Sequence, residues 1–162
     1  MSEKLDRRNW RIASFSSEET NGELGCGRAE SVIDGNTSTY WHSRWTSEVA
    51  SYPHFLVIDL GATQYVHRFS IAQRRNLCRA IKNLDLLKSL DGIEFSFIGS
   101  YVLENTDGTQ IFEFSETENV RFLKLVANTS WDGEPYAALA DVNLYQNKSG
   151  RVYSASGEQN SK

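Results

Sequence analysis

Asp34, Asn36 and Thr39 fall within the run Asp34-Gly35-Asn36-Thr37-Ser38-Thr39 and offer a carboxylate, an amide oxygen and a hydroxyl. Gly35 permits a tight turn that would let these oxygens and nearby carbonyls converge. Calcium takes about six to eight hard oxygens at roughly 2.3–2.6 Å, drawn from side chains and main chain together. The same residues also make an ordinary turn in which Asp34 caps local N–H groups, and spacing alone favours that simpler reading. No glutamate closes an EF-hand loop.

The turn runs straight into Tyr40, Trp41, His42, Arg44 and Trp45. Sugar rings have apolar C–H faces and a hydroxyl rim. An exposed indole covers the face, and His, Arg, Asn or Glu hydrogen-bond the rim. His42 and Trp45 could do both jobs from one loop. Arg74, Arg75 and Asn76 in a second loop, Trp131 in a third and Glu23 in a fourth would complete a shallow polar site. Against this, Trp41 reads better as core, and His54 and His67 sit in strand-like runs and read as structural. Trp131 serves equally well as a plug for the end of a sandwich.

Catalysis finds little support. There is no Gly-x-Ser-x-Gly, no His-Glu-x-x-His and no phosphate-cradling glycine loop. Asp132 and Glu134 form a potential carboxylate pair for glycoside hydrolysis, but Gly133 and Pro135 make a turn the better explanation. Cys26 and Cys78 lie in different long loops and carry no nucleophile motif; a bridge requires those loops to meet, and free thiols are the favoured expectation.

Elements of a particular kind must position these loops. Alternating or apolar runs recur at 54–61, 65–73, 81–90, 93–104, 109–116, 120–127 and 138–146, separated by Gly and Asp/Asn turns. That rhythm predicts an all-β sandwich. The run Leu84-Asp85-Leu86-Leu87 mimics a helix, but its short length and the bounding Asp91-Gly92 favour a strand. The longer loops, 16–31, 40–53, 73–80 and 128–137, hold most of the Trp, Arg, Gly and Glu. Residues 10–146 are expected as the domain, 1–9 as an N-terminal extension and 147–162 as a frayed polar tail.

The 162 residues suit one domain, and a net charge of −4 leaves no basic field to attract nucleic acid. No apolar run is long enough to span a membrane, and the N-terminus lacks the hydrophobic core of a signal peptide. The chain as given is therefore expected to be soluble, and a signal or partner domain could lie outside it.

Taken together, the stretches Ser14–Glu23, Ser31–Trp45 and Pro53–Gly61 and the closing runs 120–128 and 138–145 resemble the discoidin family, also called coagulation factor V/VIII type C domains. Within it the likeness is to family 32 carbohydrate-binding modules, and it covers roughly residues 10–146. The resemblance implies an eight-stranded antiparallel jelly-roll β-sandwich with a structural calcium. Its ligands would be the side chains of Asp34, Asn36 and Thr39, the Thr39 carbonyl and the carbonyls of Ser31 and Ala140. Asp141 would replace the usual glutamate, one methylene shorter. The ion would pin the first loop to the last strand.

The resemblance also implies a sugar site at His42, Trp45 and Arg74, with Arg75, Asn76, Trp131 and Glu23 as further candidates. The implied function is a non-catalytic module that binds a terminal galactose- or N-acetylhexosamine-type sugar. It would be tethered within a larger bacterial protein, a chitobiase-like hydrolase or a glycan-capturing lipoprotein, and sit in the periplasm, at the cell surface or outside the cell. The alternative is a discoidin adhesion module that binds protein or phospholipid, although the membrane-inserting hydrophobic spikes of the clotting-factor branch are missing from these loops.

Overall fold

The computed structural model describes residues 2–147. In chain order the elements are β1 (Ser2–Lys4), β2 (Arg11–Phe15), a 3-10 turn (Ala29–Ile33), β3 (Trp41–His42), β4 (His54–Ala72), β5 (Ile81–Ser89), β6 (Ser96–Val102), β7 (Thr109–Ser130), β8 (Ala138–Leu139) and β9 (Asp141–Asn147). Seven strands form one sheet in the order β1-β9-β4-β7-β5-β6 with β2 also on β4, and β3 pairs with β8. Every paired strand is antiparallel. The described residues thus hold nine strands, against the eight that the resemblance implies.

The runs 54–61 and 65–73, expected as two strands, are one strand, and so are 109–116 and 120–127. The reason is a shared corner. Along the β4–β7 ladder, Asp59 pairs with Phe122 and the next pair is Gln64 with Val120. Five residues of β4 therefore advance against two of β7, and the surplus is taken up where Gly61 adopts a φ of +86°. The hydrogen-bond ladder resumes beyond the bend. Each long strand thereby contributes to both layers of a sandwich. The first half of β4 lies between β2 and β7, and its second half lies between β9 and β7.

Side chains from both layers meet in one core. Leu56, Ile58 and Leu60 are buried on one face of β4, as their alternation predicts. They share a cluster with Leu84 and Leu86 of β5, Leu123 and Leu125 of β7, and Val142 and Leu144 of β9. Phe69 stacks on Phe112 at 4.9 Å and meets the edge of Tyr101 from β6 at 4.9 Å, joining the layers. Trp41 is core, and its indole N–H donates to the Ser17 carbonyl at 2.8 Å.

Residues 2–9 are not an extension. β1 pairs with β9, the Leu5 amide donates to the Leu144 carbonyl at 2.9 Å, and Leu5 and Trp10 are buried. Burying those two apolar side chains ties the segment to the sheet. At the other end Asn147 closes β9, and 148–162, the rest of the expected tail, lie outside the described residues. Among the described residues no helix is long and apolar enough to cross a membrane.

On the outer face of β4, Asp59 is buried beneath Arg121 of β7, at 2.7 Å, and Arg11 of β2, at 2.8 Å. The Arg121 hydrogen bond, opposed by burial and aided by the Gly61 amide and Arg11, holds its pKa down at about 2. A depressed carboxylate stabilises the fold above its unfolded pKa and loses that contribution as pH falls through the folded value. Asp59→Asn should therefore cost about 1–3 kcal/mol near neutrality. Thermal melts should show the gap between variant and wild type closing as pH drops from the ordinary carboxylate range toward 2.

Candidate functional site

The loops at one end of the sandwich are organised by a carboxylate that sequence reasoning did not single out. Glu19 is fully buried. Its Oε1 accepts from the amides of Trp45, at 2.8 Å, and Thr46, at 2.9 Å. Its Oε2 accepts from the amides of Asn21, at 3.0 Å, and Gly22, at 2.8 Å, and from the Thr46 hydroxyl at 2.6 Å. Burial alone would raise the pKa of Glu19. These donors outweigh it and hold the group far below the usual carboxylate range.

This knot sets the position of Trp45. A Cβ on Gly22 would lie 2.3 Å from Cζ2 of the indole, so the ring rests directly on the glycine backbone. The indole N–H donates to Glu23 Oε2 at 2.8 Å, and the side chain remains 37% exposed. Glu23 Oε1 accepts from the Tyr40 hydroxyl at 2.5 Å and lies 3.5 Å from Arg74. Burial and the Glu23 hydrogen bond push the Tyr40 pKa up to about 12, which keeps that hydroxyl a donor. The Arg74 guanidinium lies 4.1 Å over the Tyr40 ring, fixed from both sides.

His42 is 2% exposed, with Nδ1 at 2.6 Å from the Ser43 carbonyl. A carbonyl can only accept, so Nδ1 carries the proton. Burial lowers the pKa of His42, and the neutral ring leaves Nε2 an acceptor, 3.8 Å from Glu23. Arg79 sits 4.4 Å over the Tyr136 ring and 3.2 Å from Asp132. Together Glu23, His42, Trp45, Arg74, Cys78, Arg79 and Tyr136 line a cavity of about 370 Å³. It offers an apolar indole face, an acceptor nitrogen, a carboxylate and guanidinium donors, a set suited to a polyhydroxylated ring.

The structure brings together four of the residues expected at a sugar site, Glu23, His42, Trp45 and Arg74. Three stand outside the cavity. Arg75 turns to the Thr37 hydroxyl at 2.7 Å, while Arg74 lies over Tyr40. Asn76 accepts from the Cys78 amide at 2.9 Å and so shapes its own turn. The Trp131 indole N–H donates to the Leu103 carbonyl at 2.9 Å, with the Lys82 ammonium 4.7 Å from the ring.

Sequence reasoning missed Arg79, Tyr136 and Cys78 as lining residues, although each lies in a loop it had marked. A further feature sets these loops apart. Among the described residues the non-glycine positions with positive φ are Leu24, Ser47, Leu77 and Arg79, all in loops that contribute to this cavity. Left-handed backbone at such residues is costly and concentrates at functional sites. Cys26 and Cys78 are free thiols.

The carboxylates expected to ligate calcium are already engaged by other partners. Asp141 Oδ1 is taken by Arg7 at 2.8 Å and Oδ2 by the Asn143 amide group at 2.9 Å. Asp34 Oδ1 accepts from the Asn36 amide at 2.9 Å and Oδ2 from the Thr39 hydroxyl at 2.5 Å, while Asn36 Oδ1 accepts from the Ser38 amide at 2.9 Å. With the second carboxylate neutralised by a guanidinium, the residues present do not fit the expected ion. Among the described residues no three His, Cys, Asp or Glu side chains converge on a metal position. Ser31 lies within the 3-10 turn and Ala140 immediately precedes β9.

The F5/8 type C domain matches residues 12–142. A sialidase of Micromonospora viridifaciens is 31% identical over 145 residues, 86% of this chain but 22% of that protein. The chain thus spans about a fifth of the length of the curated relatives it matches. Among solved structures, the C-terminal domain of a chitobiase from Bacteroides fragilis superposes with a TM-score of 0.80 at 28% identity, covering 88% of this chain and 96% of that one. A family 32 carbohydrate-binding module from Clostridium perfringens, in complex with GalNAc-β-1,3-galactose, superposes with a TM-score of 0.79 at 24% identity, covering 88% and 99%.

The loop knot makes a contrasting pair of expectations. Glu19→Gln swaps an acceptor for an amide donor facing N–H groups, and should cost about 2–4 kcal/mol. Calorimetry should record that as a fall in Tm of about 5–15 °C. Gly22→Ala should leave Tm near wild type while displacing the Trp45 ring, read as a shift in tryptophan emission.

Proposed function

Since the chain belongs to the F5/8 type C domain family, matched over residues 12–142, we propose that it is a non-catalytic carbohydrate-binding module for a terminal galactose- or N-acetylhexosamine-type sugar. The observation that carries this reading is the indole of Trp45, exposed and held by Gly22 and Glu23 at the edge of a cavity that also presents the Glu23 carboxylate, the His42 imidazole and the guanidinium groups of Arg74 and Arg79. The ring face of the sugar lies on the indole, and a hydroxyl donates to His42 Nε2 while accepting from Arg74. The disaccharide carried by the Clostridium perfringens module supports the same sugar class.

Asp132 and Glu134 give no support to hydrolysis. Asp132 accepts from the Glu134 amide at 3.0 Å and pairs with Arg79 at 3.2 Å, contacts that shape a turn. The module is one part of a longer glycan-degrading or glycan-capturing protein, outside the cell or at its surface. The share of the sialidase that it spans supports this arrangement. A single shallow site binds weakly, with Kd on the order of 0.1–1 mM, or about 4–5.5 kcal/mol. Tethering then raises the effective concentration.

Isothermal titration with galactose and N-acetylgalactosamine tests the assignment. Saturable heats are expected, abolished in Trp45→Ala and weakened at least about tenfold, ~1.4 kcal/mol, in His42→Ala. Because burial lowers the His42 pKa and the neutral ring is the acceptor, affinity should hold from alkaline pH through the ordinary imidazole range. It should fall only below that range. Silence on a glycan array, with binding to liposomes or to a protein, would overturn the reading in favour of an adhesion module.

A further inference from the structure

The corner where a divalent ion was expected already contains a positive charge, and it comes from the segment ahead of the family match. Arg7 Nη1 donates to Asp141 Oδ1 at 2.8 Å and to the Val142 carbonyl at 2.9 Å. Its Nη2 lies 3.7 Å from where a Gly35 Cβ would stand, so the guanidinium also rests against the turn 34–39. Both side chains of the pair are sheltered, 18% exposed for Arg7 and 10% for Asp141. Three segments therefore meet on one cation: the N-terminal segment, the acidic turn and the first residues of β9.

Arg7 is placed there by structure rather than by chance contact. β1 pairs with β9 immediately upstream, and the Trp10 amide donates to the Arg7 carbonyl at 3.0 Å, closing a turn that ends in a buried tryptophan. Asn143 occupies the other oxygen of Asp141, and Asp34 is satisfied within its own turn. An added divalent ion would have to expel a guanidinium from a sheltered position, where its Nη1 donates to both Asp141 and Val142, or sit beside it against like charge. One methylene less at Asp141 than at a glutamate leaves room for a guanidinium to bridge the gap.

We propose that Arg7 is a built-in cation that replaces the divalent ion at this corner, making the scaffold of the site independent of metal. The proposal stands apart from the glycan reading and is tested without any sugar. Wild-type protein dialysed against chelator should melt at the same temperature with and without millimolar calcium, and calcium titrated into it should give no saturable heat. Arg7→Met should lower Tm by about 3–8 °C in chelator. Arg7→Lys, which keeps the charge but loses the guanidinium nitrogen that reaches both Asp141 and Val142, should fall between the two and remains informative if Arg7→Met does not fold. A calcium-dependent rise in wild-type Tm, saturable calcium heat, or an Arg7→Met variant that melts like wild type would overturn the proposal.

Discussion

The Glu19 carboxylate is the contact on which the loop end of this sandwich depends. Removing an ionised carboxylate from water is costly, and it is tolerated only where donors replace the lost hydration. Four backbone amides and one hydroxyl do so here. Because these donors come from residues 21–22 and 45–46, satisfying one charge fixes two loops against each other. Trp45 is thereby laid on Gly22, its N–H reaches Glu23, and Glu23 is brought to Tyr40, Arg74 and His42. Each polar wall of the cavity is thus set before a ligand arrives, which limits the ordering cost that a weak binder can least absorb.

Acidic side chains play the same part elsewhere in the molecule. Asp59 joins β2, β4 and β7 through two arginines, and Asp141 joins the N-terminal segment to β9 through one. In both cases the carboxylate is sheltered and its arginine partners come from distant parts of the chain. Such pairs add modest net stability, since desolvation offsets much of their attraction. Their larger effect is to specify which segments meet. The apolar cluster under both layers, from Phe69 to Leu144, supplies the bulk of the driving force.

The strands were legible because alternation of apolar residues is a direct consequence of the pleat. Leu56, Ile58 and Leu60 all point inward as their spacing implied. The corners were not legible. Ala62-Thr63-Gln64 reads as a turn in isolation, and only pairing with β7 shows that the strand continues through it. Trp45, His42, Arg74 and Glu23, expected from residue type and loop position, line one cavity. Arg75 and Asn76 could not be separated from Arg74 without knowing that one guanidinium already covers Tyr40. Glu19 was hidden for a different reason. Nothing local distinguishes a glutamate that points inward from one in solvent, and the Trp45 and Thr46 donors that reveal it lie more than twenty residues away. Arg7 was obscured likewise, by lying in a segment that carries no recognisable pattern.

The central claim is that a buried carboxylate holds an indole over a preformed polar cavity that receives a sugar. An amide-resolved NMR titration with methyl galactoside or N-acetylgalactosamine tests it most directly. The account predicts saturable shifts concentrated at the Trp45 indole N–H and at the amides of Gly22, Trp45, Thr46 and Arg79, with the sheet unmoved. Saturable shifts centred on another surface, such as the 88–96 loop, with the Trp45 indole unchanged, would contradict it.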